Sequence, residues 1–185
     1  IQTQSDLKER ALFMGLGQVK ELTQRTIQRI IQQAPYSSLD DFLSRADPRM
    51  REAENLARIG ALDGLGKIPA ILRRLENGGW KQNQMSLFEW KDTGEDDWSL
   101  QQKVAAQIEI LGASIDAHPL ELVAEKITGS STTLEAVEKI RRRVTVAGVR
   151  QTSRRSRTAK GEMMLFLTIE DLLGTLDVII FPDVY

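Results

Sequence analysis

The apolar residues of this chain keep one period up to about Arg143 and another after it, and that change bounds what the chain can fold into. After Thr23, Ile27, Ile30, Ile31 and Ala34 recur at i, i+3, i+4 and i+7, the spacing of a helix with one apolar face. In "RVTVAGV", residues 143–149, Val144, Val146 and Gly148 alternate with Thr145 and Ala147, the spacing of a strand. Helices first and strands last predict an α+β chain of more than one domain.

Local signals punctuate both parts. Thr23 is expected to cap the first helix, "APYSS" to break the chain, and Leu39, Phe42 and Leu43 to start a short second helix. Asp47-Pro48 reads as N-cap and N1 proline of a helix to about Arg58. "IGALDGLG" is a tight connection before a helix over 67–76. Ser99 and Gln102 form a capping box for a helix stopping at Gly112, and Thr132 with Glu135 repeats the box for a helix to about Arg141. Beyond it, "RVTVAGV", "MMLFLTIED" and "TLDVIIFPDVY" predict three meandering strands joined by turns at "AKGE" and "LLG". Three such strands look like the front half of a five-stranded Greek-key barrel, with two strands to come from elsewhere.

Composition excludes several chemistries. The chain has no cysteine and one histidine among its 185 residues, so thiol catalysis, disulfides and histidine-rich metal sites are not expected. His118, in "DAHPLE", has Asp116 as the one further ligand type at useful spacing, and a metal needs three or four. No catalytic residue, metal or cofactor is expected. No run approaches the length of apolar sequence that spans a membrane, and the cysteine usage fits a cytoplasmic setting. The chain opens at Ile1, not Met, and reads as part of something longer.

The net charge of -1 hides a segregated pattern. From Lys139 to Lys160 there are nine basic residues and no acid, whereas Glu89 to Asp97 holds five acids against Lys91. A polyanion-facing surface and a solvated linker are the expected readings. Inside that linker, "QMSLF" places Met85, Leu87 and Phe88 where a polar tether should avoid large apolar groups.

These residues carry a resemblance. "LFMGLGQVKELTQRTIQRIIQQAPYSSLDDFLSRAD" with "NLARIGALDGLGKIPAIL" resembles the tandem helix-hairpin-helix region of bacterial DNA polymerase III alpha subunits. "EILGASIDAHPLE" is similar to that family's connector, and "VTVAGVRQTSRRSRTAKGEMMLFLTIEDLLGTLDVIIFPDVY" to the first three strands of its OB domain. The resemblance implies a helical module over 1–76, a linker over 77–98, a helical connector over 99–141 and a partial OB-fold barrel over 142–185.

It also implies roles. Gln84, Met85, Ser86, Leu87 and Phe88 match the Gln-x-x-Leu-Phe peptide that docks on the sliding clamp (beta). Gly60, Gly64, Gly66 and Lys67 fall on the duplex-binding turn of the second hairpin, through backbone N–H groups. The first hairpin departs from the pattern: the family's Gly-hydrophobic-Gly falls on Glu21, Leu22 and Thr23. On the OB domain, Arg150, Arg154, Arg155, Arg157 and Lys160 would grip single-stranded DNA, with Phe166 stacking on a base. Other replicase subunits are compatible partners; a membrane is not. Catalysis is not expected of these residues, although the parent would be a DNA-directed DNA polymerase. Three other contexts share parts of this pattern: an error-prone relative of the alpha subunit, an aminoacyl-tRNA-synthetase-like OB module and a free-standing clamp adaptor.

Overall fold

A computed structural model describes residues 13–77 and 96–185. The chain divides into two compact units between Asp116 and Ala117. The architecture is α+β: a helical module followed by a three-stranded antiparallel open sheet.

The first unit holds α1 (Gln24–Gln33), α2 (Leu39–Ala46), α3 (Met50–Arg58), α4 (Ile68–Glu76) and α5 (Leu100–Leu111), with a 3-10 turn at Leu16–Gln18. Thr23 caps α1 by accepting from the Thr26 N–H, and Ser99 caps α5 in the expected box with Gln102. Gly112 ends α5 in the left-handed conformation, as its position after the apolar run predicts. The core is built from Leu39, Phe42 and Leu43 of α2, Leu56 of α3, Ile71 and Leu75 of α4, and Ile110 of α5. Each such side chain, fully withdrawn from water, stabilises the module by roughly 1.5–3 kcal/mol.

One helix start differs from the sequence expectation. Asp47 closes α2 in the left-handed region (φ 48°), and Arg49 is the N-cap of α3. The Asp47 carboxylate faces Arg25 and Arg29 of α1, the latter at 2.7 Å, so it serves that pairing and not the helix that follows.

The second unit holds α6 (Thr133–Glu138), a kinked 3-10 segment at Glu121–Lys126, and the strands β1 (Val149–Arg157), β2 (Met163–Glu170) and β3 (Thr175–Ile180) in the order β1-β2-β3. Strand two falls where expected, whereas the third ends at Ile180, and residues 181–185, expected to continue it, form a turn outside the ladder. The first begins later: "RVTVAGV" contributes one parallel bridge, Val146 with Ser131, and the ladder starts at Val149. At Gly148 a side chain would lie 2.9 Å from Ile169 Cβ and 3.0 Å from the Glu170 carbonyl oxygen, so the backbone here passes directly against β2. Among the described residues, no helix is long and apolar enough to cross a membrane.

Candidate nucleic-acid interface

The first hairpin turn carries an internal carboxylate where an anion would otherwise approach. Glu52, 1% exposed, reaches from α3 to the start of α1. Its Oε1 accepts the Thr23 N–H at 2.9 Å and the Thr23 hydroxyl at 2.7 Å; its Oε2 accepts the Thr26 hydroxyl at 2.8 Å and the Arg49 N–H at 2.7 Å. Burial pushes this carboxyl up, but the hydrogen bonds outweigh it and hold the group below the usual carboxylate range. Glu21, standing where the family pattern has glycine, sits at φ 64°. This hairpin is a joint between α1 and α3.

The second hairpin keeps its turn. Gly60 (φ 81°) and Gly64 (φ 90°) occupy the left-handed region, which a side chain would strain. Gly66 and Lys67 follow, with Lys67 as the N-cap of α4. Here too a carboxylate of the chain itself is present: Asp97 Oδ1 accepts the Ile68 N–H at 3.0 Å, and its Oδ2 pairs with Lys103 Nζ at 2.6 Å. Burial raises the Asp97 carboxyl, yet bonds from Lys103 and from the Trp98 and Ile68 N–H groups bring it below its ordinary value.

The sheet separates the expected basic cluster into two faces, because residues paired across a ladder share a face and neighbours along a strand do not. Leu165, Leu167 and Ile169 of β2 lie opposite Ile180, Val178 and Leu176 of β3, and all six are half-buried. This is the inner face. Phe166 points the other way, 40% exposed, between Arg154 on β1 and Ile179 on β3, itself 46% exposed. The next outward row is Thr152, Thr168 and Asp177.

Arg150, Arg155 and Arg157 fall in register with Ile169, Leu165 and Met163 on the inner side, and their side chains are exposed. Arg157 also donates to the Gly161 carbonyl at 3.4 Å, across the turn that carries the exposed Lys160. Thus Arg154 and Phe166 are brought together; Arg150, Arg155 and Arg157 are not on their face. A register shift between Arg150 and Thr152 sets this parity, and nothing in "VRQTSRRSR" signals it.

Ile179, Thr168 and Asp177 are outward groups that sequence reasoning missed. The alternation of Thr175, Asp177 and Ile179 against Leu176, Val178 and Ile180 was the available signal. Gln84, Met85, Ser86, Leu87 and Phe88 lie outside the described residues. His118 accepts the Leu120 N–H through Nδ1 at 3.2 Å and holds Nε2 3.7 Å from Glu170. Among the described residues, no group of three His, Cys, Asp or Glu is placed to hold a metal.

Comparison with known proteins shows what this chain is similar to. Residues 2–70 match the helix-hairpin-helix motif. The DNA polymerase III subunit alpha of Streptococcus pyogenes is 30% identical over 184 residues, covering 94% of this chain and 18% of that protein. The protein of the same name from Halalkalibacterium halodurans is 31% identical over 199 residues, 96% of this chain and 18% of its own length. An error-prone DNA polymerase of Corynebacterium efficiens is 31% identical over 193 residues, 98% of this chain and 17% of its own length. The chain therefore spans under a fifth of the length of these relatives. It carries a helix-hairpin-helix domain and is homologous, along nearly its whole length, to a segment of the bacterial DNA polymerase III alpha subunits.

Proposed function

We propose that this chain is a non-catalytic, DNA-binding portion of a bacterial DNA polymerase III alpha subunit, serving DNA replication in the cytoplasm. Its sheet holds single-stranded DNA as part of an OB-fold barrel, its second hairpin approaches duplex phosphates, and Gln84–Phe88 tethers it to the sliding clamp. The parent polypeptide is a DNA-directed DNA polymerase. An error-prone polymerase is the second reading, favoured by the Corynebacterium efficiens homology.

The observation that carries the DNA-binding reading is the outward row Arg154, Phe166 and Ile179. An exposed aromatic flanked by a cation and an apolar neighbour supplies what a single strand needs: a face for a base and a charge for its phosphate. Homology over nearly the whole chain supports it independently.

Fluorescence anisotropy with labelled oligothymidine tests the reading. The chain should bind, and Phe166→Ala should cost about 1–3 kcal/mol, the loss typical of one stacking platform. No binding, or an affinity indifferent to Phe166, would remove the sheet from the proposal.

A further inference from the structure

The outward row beside Phe166 contains a fixed carboxylate. Thr168 Oγ1 donates to Asp177 Oδ1 at 2.7 Å across the β2–β3 ladder, which holds the Asp177 side chain next to the platform. Rows on one face are two residues apart, about 7 Å along the strand, so a base lying over Phe166 has Asp177 as its diagonal neighbour.

Direction follows from the strand order. Arg154 flanks Phe166 from β1, and Ile179 and Asp177 flank it from β3. A nucleotide with its phosphate on Arg154 and its base on Phe166 aims its Watson–Crick edge away from β1, toward β3. There it meets an apolar side chain and a carboxylate, whose oxygens accept hydrogen bonds. The bond from Thr168 uses one lone pair and leaves acceptor capacity on both oxygens.

Base edges differ in what they offer such a group. Guanine presents two adjacent donors, N1–H and N2–H, which fit the two oxygens of one carboxylate. Adenine and cytosine each present one amino donor beside a ring-nitrogen acceptor. Thymine presents N3–H between two carbonyl oxygens, which a carboxylate repels.

Resting on the single-strand reading above, we infer that Asp177 is a specificity-determining residue and that the sheet prefers guanine over thymine in single-stranded DNA. The test measures anisotropy of the 185-residue chain with labelled oligothymidine and with the same strand carrying one central guanine, adenine or cytosine. Guanine should bind most tightly, about tenfold better than thymine, which is within the range of one bidentate base contact. Asp177→Asn, nearly isosteric, should bring the four strands within about twofold of one another while oligothymidine binds as well or better. Asp177→Ser serves as a second variant, and unchanged thermal unfolding of either shows that the sheet is intact.

A wild type without base preference, or a preference that survives Asp177→Asn, overturns the inference while leaving single-strand binding standing. Weaker binding of all four strands on Phe166→Ala, together with loss of guanine preference on Asp177→Asn, supports both. No binding of any strand by the wild type overturns both.

Discussion

The Asp97 carboxylate accepts the N–H of Ile68, the first residue of α4, at 3.0 Å, and so occupies the helix start toward which a duplex phosphate would come. Lys103 holds it there at 2.6 Å. Duplex binding at Gly60, Gly64, Gly66 and Lys67 therefore competes with a negative charge that the chain supplies itself. Asp97→Asn keeps an oxygen for Ile68 and removes the charge. It should strengthen binding of a short duplex at low salt by about fivefold, on the order of 1 kcal/mol for one screened charge. An unchanged duplex affinity would take the second hairpin out of the duplex-binding surface.

At the first hairpin the prediction concerns stability. Glu21 sits at φ 64°, a conformation that costs an L-residue roughly 1–2 kcal/mol. Glu21→Gly relieves the strain but frees the unfolded chain, so the net gain should be about 0.5–1 kcal/mol. Urea midpoints measure it. Because Glu52 still holds Thr23, the variant should acquire no new affinity for duplex.

Glu52 itself predicts an acid-sensitive joint. Its folded carboxyl lies below the ordinary value of 4.5, so its contribution to stability is fully present above pH 4.5 and is lost as pH falls through the lower folded value. Glu52→Gln leaves the Thr23 bonds but turns an amide toward the Arg49 N–H, and should cost about 1.5–3 kcal/mol at neutral pH. The cost should shrink on acidification, because the wild type loses there what the variant never had. A cost that grows below pH 4 would contradict the assignment.

In the second unit, Asp171 joins α6 to the β2–β3 turn. It accepts the Thr133 N–H and hydroxyl, both at 2.7 Å, and the Leu173 and Gly174 N–H groups at 2.8 and 3.0 Å. Burial raises its carboxyl, and these four bonds outweigh that to bring it down to about 2. The stabilisation is therefore complete above pH 4 and disappears toward pH 2. Asp171→Ala orphans the buried Thr133 hydroxyl and should cost about 1–3 kcal/mol. Asp171→Asn, which keeps an acceptor, should recover part of that, as denaturant unfolding of the sheet would show.

The legible parts of this fold are those whose causes are local. Thr23, the Ser99–Gln102 box and Gly112 act within a turn of their own helix, so sequence spacing alone locates α1 and α5. Glu52 and Asp97 act on groups 29 residues away, and no local pattern announces which N–H a distant carboxylate meets. β1 is a third kind of case. "QTSRRSRT" has no apolar alternation, and it is a strand because β2 supplies its partners. The basic cluster was thus visible in the sequence as charge, whereas its division between two faces is a property of the pairing register.

That division decides the last prediction, which concerns salt. Each single-strand phosphate neutralised by a cation contributes about -0.7 to the slope of log K against log salt. With the strand on the outward face, Arg154, paired with Phe166 across the ladder, would make one such contact. Arg154→Gln should flatten the slope by about 0.7 and weaken all sequences alike, since phosphates carry no base information. Arg155→Gln, in register with Leu165 on the inner side, should leave the slope nearly unchanged, and so should Arg157→Gln, opposite Met163. Phe166→Ala should lower affinity without moving the slope, because stacking releases no counterions. A slope that responds to Arg155 and Arg157 but not to Arg154 would place the strand on the apolar side of the sheet. In that case Phe166 faces away from the ligand and its removal should cost nothing.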